Sequence, residues 1–184
     1  TEVTYFPLGD DMLPALLEDL KKAERYIFME YFIIDEGIMW GEILAILEEK
    51  AKAGLDVRVM FDGMNEMSTL SYDYIERLHK VGIKAQTFSP LKPILSTYYN
   101  YRDHRKITVI DGQVAYTGGV NIADEYVNKR ERFGHWKDTA IRLDGSAVQT
   151  LKALFLTMWS VTGVNDPADM ERYLQEKPQK RESQ

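Results

Sequence analysis

The chain has 184 residues, 45% of them apolar, which is enough for one ordinary hydrophobic core. It contains no cysteine, and this excludes disulfides, thiolate metal sites and a thiol nucleophile. The net charge of -6 argues against a protein that coats nucleic acid, because such proteins are normally basic, so we expect no nucleic-acid partner.

The first half of the chain alternates short apolar runs with amphipathic segments. Strands are predicted over Val3–Phe6, Tyr26–Ile34, Leu55–Phe61 and Ile83–Phe88, and helices over 10–20, Met39–Ala53 and Ser71–Lys80. The run Tyr26–Ile34 is almost entirely apolar, as in strands that are buried on both faces of a sheet. This order predicts an α/β domain with a mixed, mostly parallel sheet flanked by helices.

The second half begins with a stretch that breaks this alternation. Residues 89–101 contain two prolines and a tyrosine cluster, which predict a long loop near the functional site. A hairpin is predicted over Lys106–Ile110 and Val114–Thr117, followed by a strand at Thr139–Leu143 and a helix at Ser146–Val161. The chain then turns polar, so we predict one domain over 1–163 and a polar tail or inter-domain linker over 164–184.

The segment Asn100–Asn121 carries the side chains best suited to chemistry. It contains the spacing H-x-K-x4-D and then G-G-x-N, formed by His104, Lys106, Asp111, Gly118, Gly119 and Asn121. His104 and Lys106 are two residues apart at the start of a strand, so we expect both on one face. A neutral imidazole can attack phosphorus near pH 7, and an adjacent ammonium can offset charge on the non-bridging oxygens. The segment therefore predicts a phosphodiester site that requires no metal or cofactor.

The other members of the pattern have more local roles. The two glycines allow backbone amides to approach a substrate closely, and Asn121 can donate a hydrogen bond to a phosphate oxygen. Asp111 completes the spacing, but it precedes Gly112 in a turn. Its carboxylate is better placed there to bind backbone amides than substrate, which favours a structural role.

Together these residues resemble the HKD motif of the phospholipase D superfamily. The resemblance implies a histidine nucleophile, His104, and a later acid that holds this histidine through its other ring nitrogen. Asp138 stands where the resemblance places that acid, with a capping or surface aspartate as the alternative. Asp124 and Glu125 are weaker candidates for the same role.

Within the superfamily, the chain is most similar to the first catalytic half of bacterial cardiolipin synthases. The similarity rests on YIFMEYFIIDEG, AKAGLDVRVMFDG, NYRDHRKITVIDG, TGGVNIADEY and HWKDTAIRLDG, while Met64–Leu70 departs from the expected small turn. It implies an enzyme that joins two phosphatidylglycerols, releases glycerol, and uses a second HKD half. It also implies a parent protein at the cytoplasmic side of the bacterial membrane, although this chain lacks membrane helices and is expected to be soluble.

Further polar residues near the motif are candidate substrate-binding groups. Glu30 is a charge inside an apolar run and could border the site or face solvent. Arg105 belongs to a basic set that could bind an anionic head group or form an ordinary charged loop. The other members of this set are Arg102, Lys129, Arg130 and Arg132.

Two alternatives to a lipid-synthase half remain open on the sequence. One is a homodimeric phosphodiesterase or nuclease, in which two copies of a chain with one motif build one site. The other is a non-catalytic phosphate-binding domain that has kept the fold, against which the intact His104, Lys106 and Asn121 argue.

Overall fold

The computed structural model describes residues 1–88, 103–132, 134–162 and 167–176. The strands in these ranges are β1 (Glu2–Phe6), β2 (Tyr26–Tyr31), β3 (Asp56–Asp62), β4 (Lys84–Phe88), β5 (Ile107–Ile110), β6 (Val114–Gly118) and β7 (Ala140–Asp144). The helices are α1 (Gly9–Lys21), α2 (Ile38–Lys52), α3 (Asn65–Ser68), α4 (Tyr74–Lys80), α5 (Val148–Thr162) and α6 (Pro167–Leu174), with a 3-10 turn at Asp124–Val127. The loop predicted over 89–101 lies outside the described residues.

The described strands form one sheet in the order β1-β7-β6-β5-β2-β3-β4. Strands β2, β3 and β4 are parallel, and β2–β3 is connected through α2. All other neighbouring pairs are antiparallel. The predicted mixed sheet with flanking helices is confirmed, but the expectation that it is mostly parallel is wrong. The alternation of strand and helix ends at β4, and the β5–β6 hairpin, β7 and β1 then add antiparallel strands.

Strand β2 lies inside the sheet, and apolar layers cover both of its faces. Ile27 and Met29 belong to the layer formed with α1, α2 and α4. Tyr26 and Phe28 belong to a second layer, formed with α5 and the ring of Tyr173. This explains the almost unbroken apolar run in the sequence, and the same alternation places Glu30 on the side of Phe28.

Helix α6 lies within the segment that the sequence predicts to be a polar tail or linker. Its Tyr173 is buried, with its ring centroid 5.1 Å from that of Phe28. Its Asp169 accepts a 2.5 Å hydrogen bond from Arg58, a guanidinium that is 1% exposed. Residues 167–176 therefore pack against the domain, because the charges that make the segment look solvated are partners of buried cations. Residues 177–184 lie outside the described residues.

Candidate active site

The His104 side chain is exposed and lies just before β5, beside the end of β2. Its ring stacks on Phe32, with centroids 3.9 Å apart and an interplanar angle of 20°. This contact covers one face of the imidazole and leaves the ring nitrogens at its edge available for chemistry. Phe32 was not singled out in the sequence, where it looks like another member of an apolar run.

The ammonium of Lys106 lies close to the backbone of His104. Its Nζ donates to the His104 carbonyl oxygen at 2.6 Å and lies 5.7 Å from the centre of the Phe32 ring. The residue is only 9% exposed. Burial lowers the pKa of Lys106, and the charges of Asp138 and Asp103 act in the opposite direction. The structure thus brings the predicted nucleophile and cation together, and Phe32 contacts both.

Asn121 reaches the same region from the segment that follows β6. Its Oδ1 accepts a 3.0 Å hydrogen bond from the backbone N–H of Ile33, directly after Phe32. The side chain is 4% exposed and also hydrogen bonds with Tyr126. Because the oxygen is engaged by the backbone, the carboxamide NH2 group is the end that can donate to a ligand.

The two glycines of the motif provide room rather than free amides. A Cβ on Gly119 would lie 1.9 Å from Asp138 Oδ1, and a Cβ on Gly118, where φ is +155°, would lie 2.3 Å from the Thr139 oxygen. The Gly119 N–H donates to that same oxygen at 2.9 Å. The end of β6 can therefore pack directly against Asp138 and the start of β7.

Asp138 lies within this packing and accepts a 2.9 Å hydrogen bond from the Thr139 N–H. Its charge acts on Lys106. Among the described residues, no hydrogen bond or ion pair joins the Asp138 carboxylate to the His104 ring. The structure thus places this acid near the site, and its role in orienting the histidine stays a prediction.

Asp111 lies at the far end of β5 from His104, in the turn to β6. Its carboxylate accepts hydrogen bonds from the backbone N–H groups of Glu24, Arg25 and Tyr26, at 2.9, 2.8 and 2.9 Å. These bonds attach the hairpin to the start of β2. The observed contacts match the structural role that the turn chemistry favours.

Glu30 and Arg105 meet in a buried group on the other side of β5, together with Asp103. Glu30 is 0% exposed, and its Oε1 lies 3.5 Å from Arg105 Nη2. Asp103 holds Arg105 more closely, since it accepts from Arg105 Nε at 2.8 Å and from its backbone N–H at 3.0 Å. Burial raises the pKa of Glu30 to about 8, Arg105 acts against this shift, and Asp103 adds to it.

This arrangement makes Glu30 part of the support of the motif. The sequence left two positions open for Glu30, bordering the site or facing solvent. Because Glu30 is buried, the solvent-facing position is excluded. Asp103 was missed in the sequence, although an aspartate two residues before an arginine, just ahead of a strand, is a local signal for this kind of turn.

The remaining basic residues are paired with carboxylates. Lys129 donates to Glu42 at 2.7 Å, and Arg130 and Arg132 donate to Glu125 at 2.6 and 3.0 Å. Arg102 lies outside the described residues. Of the two weaker acid candidates, Asp124 accepts from the backbone N–H groups at the start of α2, and Glu125 lies under the two arginines. The described part of the basic set is therefore not a free cationic patch.

A cleft of about 680 Å³ opens beside the His104–Phe32 pair. Phe32 and Ile33 form part of its wall, as do α3 and the segment after the 3-10 turn. The polar and aromatic residues that line it are Asp35, Asn65, Ser68, Thr69, Glu125, Tyr126, Arg130, Glu131, Arg132 and Trp136. Tyr126 and Trp136 make an edge-to-face contact at 5.3 Å. Neither aromatic residue was recognised from the sequence.

The described residues contain neither a candidate metal cluster nor a helix that could span a membrane. No cluster of three or more histidine, aspartate or glutamate side chains is placed there to hold a metal ion. None of the helices in those ranges combines the length and the apolar character needed to cross a membrane.

Comparisons with known proteins agree with the fold and indicate the family. The family described as "Cardiolipin synthase, PLD-like domain" matches residues 16–159. An uncharacterized protein of Streptococcus mutans is 61% identical over 88% of this chain and 35% of its own length. Cardiolipin synthase 2 of Bacillus cereus is 43% identical over 86% of this chain and 31% of its own length. The chain thus spans about a third of these curated relatives.

Among solved structures, the chain resembles a phospholipase D family member, Nuc from Salmonella typhimurium. The TM-score is 0.65 at 18% identity, and the match covers 88% of this chain and 95% of the other. At this identity the likeness concerns the fold alone. Because the family match covers most of the sequence, the chain belongs to the cardiolipin synthase family and is its phospholipase D-like domain.

Proposed function

We propose that this chain is one phosphatidyltransferase half of a cardiolipin synthase, which joins two phosphatidylglycerol molecules and releases glycerol. The observation that carries the proposal is the exposed imidazole of His104, stacked on Phe32, beside the buried ammonium of Lys106. A nucleophile needs an open approach, whereas the group that stabilises charge is more effective when partly desolvated. The family match supports a phospholipid as the substrate class.

The proposed reaction has two displacements at phosphorus. A ring nitrogen of His104 forms a bond to phosphorus while the bond to the glycerol oxygen breaks, and a histidine of a second half gives this oxygen a proton. Lys106 and the NH2 group of Asn121 stabilise the charge on the non-bridging oxygens. The hydroxyl of a second phosphatidylglycerol then gives its proton back to the second histidine and displaces His104.

The second half comes from the parent chain or from another copy of this one. The chain spans about a third of its curated relatives, which leaves ample length for a second domain in a parent protein. We place that parent at the cytoplasmic face of the bacterial membrane, where its phosphatidylglycerol substrate is available. A single half is therefore expected to turn over slowly unless it associates with another.

The test is to trap the covalent intermediate on His104. The chain is mixed with phosphatidylglycerol vesicles, quenched, and analysed by mass spectrometry for an acid-labile phosphatidyl adduct and for released glycerol. The His104→Ala variant should form no adduct and keep the thermal stability of the wild type, since the side chain is exposed. The matched control His79→Ala changes another exposed histidine, on α4, and should keep the adduct. An adduct that persists without His104 would exclude it as nucleophile.

A homodimeric phosphodiesterase is the second candidate, and one observation favours it. This chain covers 95% of the Nuc chain, so a domain of this size and fold can be a whole polypeptide. In that case the isolated chain should form dimers in sedimentation experiments and hydrolyse a soluble phosphodiester in proportion to its dimeric fraction. A monomer that is inactive alone but active after addition of a second HKD half supports the synthase instead.

A further inference from the structure

The cleft whose wall includes Phe32, the residue stacked on His104, is lined by more charged side chains than an acyl-chain site would need. Three carboxylates and two guanidiniums line it, together with the aromatic side chains Phe32, Tyr126 and Trp136. The carboxylates are Asp35, Glu125 and Glu131, and the guanidiniums are Arg130 and Arg132. The cleft is thus lined by charged groups of both signs together with aromatic rings.

Four of the five charged groups, Asp35, Glu125, Arg130 and Arg132, are paired with one another. Glu125 is 7% exposed and accepts hydrogen bonds from both Arg130 and Arg132. Arg130 also donates to Asp35 at 3.0 Å. Although burial acts to raise it, the pKa of Glu125 is lowered by its backbone hydrogen bond and the two arginines. The side chains that form the cleft therefore hold each other in place before any ligand arrives.

This pairing excludes two kinds of ligand. An acyl chain would remove water from the four charged lining side chains that are not buried and give no hydrogen bonds in return. A free phosphate would meet three carboxylates and only two guanidiniums, so like charges would repel it. A neutral group rich in hydroxyls fits better, because each hydroxyl can donate to a carboxylate and accept from a guanidinium N–H. The ring surfaces then contact its carbon atoms.

We propose that this cleft binds the glycerol head group of the phospholipid, with Glu125 and Arg132 as its specificity-determining contacts. This inference rests on the proposed function, which it deepens by assigning the head group and not the acyl chains to this side of His104. Its location agrees with the chemistry, since Phe32 both lines the cleft and stacks on the His104 ring. The hydrogen bond between Ile33 and Asn121 joins the same wall to the motif.

The cleft also has the dimensions of a small-molecule site. Its volume of about 680 Å³ lies within the usual range of such pockets and exceeds what a glycerol needs. The glycerol that leaves in the first displacement and the hydroxyl-bearing head group that enters in the second can thus occupy the same space in turn. His104 does not itself line the cleft, but Phe32 connects the two, so a hydroxyl group bound there would raise the local concentration of the acceptor and favour transfer to an alcohol over hydrolysis.

The test compares two short-chain lipids that differ only in their head groups. Dihexanoyl phosphatidylglycerol and dihexanoyl phosphatidylmethanol carry the same chains and the same phosphodiester charge, but the second lacks the hydroxyls. Affinities are measured by NMR titration on the His104→Ala chain, so that nothing turns over. Phosphatidylglycerol should bind about tenfold more tightly, the effect of one or two hydrogen bonds to charged groups.

The variants then locate the difference. Arg132→Gln changes a side chain that is 58% exposed, and it should remove the preference and leave the affinity for phosphatidylmethanol unchanged. Glu125→Gln should also remove the preference for phosphatidylglycerol. If Glu125→Gln does not fold, Arg132→Gln alone decides the test. The control is Arg77→Gln, at an exposed ion pair with Glu36 outside the cleft, which should alter neither affinity.

The possible failures are separable. Two results would overturn the head-group assignment: equal affinity of the His104→Ala chain for the two lipids, or an equal loss of affinity for both lipids in Arg132→Gln. Neither result would prevent an adduct from forming on His104 of the wild-type chain. An absent adduct with an intact preference for phosphatidylglycerol would instead overturn the transferase proposal and leave the head-group site in place.

Discussion

Replacement of Glu30 by glutamine should change how the stability of the domain depends on pH. Glu30 is 0% exposed, and among the described residues the cation that pairs with it is Arg105 at 3.5 Å, which Asp103 holds more tightly. Burial therefore raises the pKa of Glu30 from its ordinary 4.5 to about 8, with Arg105 opposing and Asp103 adding to the shift. The folded protein prefers the protonated acid over the carboxylate.

The sign and size of the effect follow from proton linkage. An unfolded chain loses the proton near pH 4.5, whereas the folded chain keeps it until about pH 8. The stabilising contribution of Glu30 is thus complete below pH 4.5 and is lost as the pH rises through 8. Each pH unit between these values is worth about 1.4 kcal/mol, so the whole interval amounts to roughly 5 kcal/mol at most. Glu30→Gln, which is neutral at every pH, should lack this loss.

The assay is urea unfolding followed by circular dichroism at several values from pH 5 to pH 8.5. The wild type should lose several kcal/mol more than Glu30→Gln across this range. Glu36→Gln is the control, because that side chain is 49% exposed in a surface ion pair and should leave the wild-type profile unchanged. Parallel profiles for the wild type and Glu30→Gln would refute the reasoning, since they would show that Arg105 keeps Glu30 ionised throughout.

Two further substitutions test the residues that flank β5. Asp111→Ala should lower the free energy of unfolding by about 3 kcal/mol in a urea titration, because three backbone N–H groups lose their acceptor. Asp111→Asn should lower it less, since the amide oxygen can still accept. An equal decrease in both variants would show that these hydrogen bonds do not account for the effect. Lys106→Met should slow adduct formation on His104 by about 100-fold or more. Its stability should stay the same or rise, since a buried ammonium is removed; a normal rate of adduct formation in a rapid-quench experiment would show that the ammonium does not act on the reacting phosphate.

The parts of the fold that the sequence predicted are those set by local pattern. The apolar run of β2 and the Asp111-Gly112 turn each determine their structure within a few residues. The direction of the strands is different. Nothing within β7 indicates that β1 will pair with it antiparallel, since these strands are more than a hundred residues apart. The expectation of a mostly parallel sheet failed at that point, where pairing depends on the whole domain.

The same distinction applies to the site. His104, Lys106 and Asn121 were found because their spacing carries a pattern. Phe32 and Trp136 were missed because each is ordinary in its own segment and gains a role only through a contact across the fold. Glu30 was recognised as an anomaly, yet its meaning depended on Asp103 and Arg105, which reach it from the segment before β5. A single buried charge in a sequence signals that a partner exists, but not where it is.

Helix α6 shows why charge patterns near the end of a domain are hard to interpret. A run that is rich in charge is expected to be solvated, since isolated charges lose hydration when they are buried. Here the expectation fails because β3 carries Arg58 in a fully buried position, surrounded by Phe28, Trp159 and Tyr173. That guanidinium requires carboxylates, and α6 brings one in Asp169 while its Tyr173 covers the apolar layer. The polar segment is thus recruited by a cation that lies more than a hundred residues earlier, and no reading of the segment by itself could have shown it.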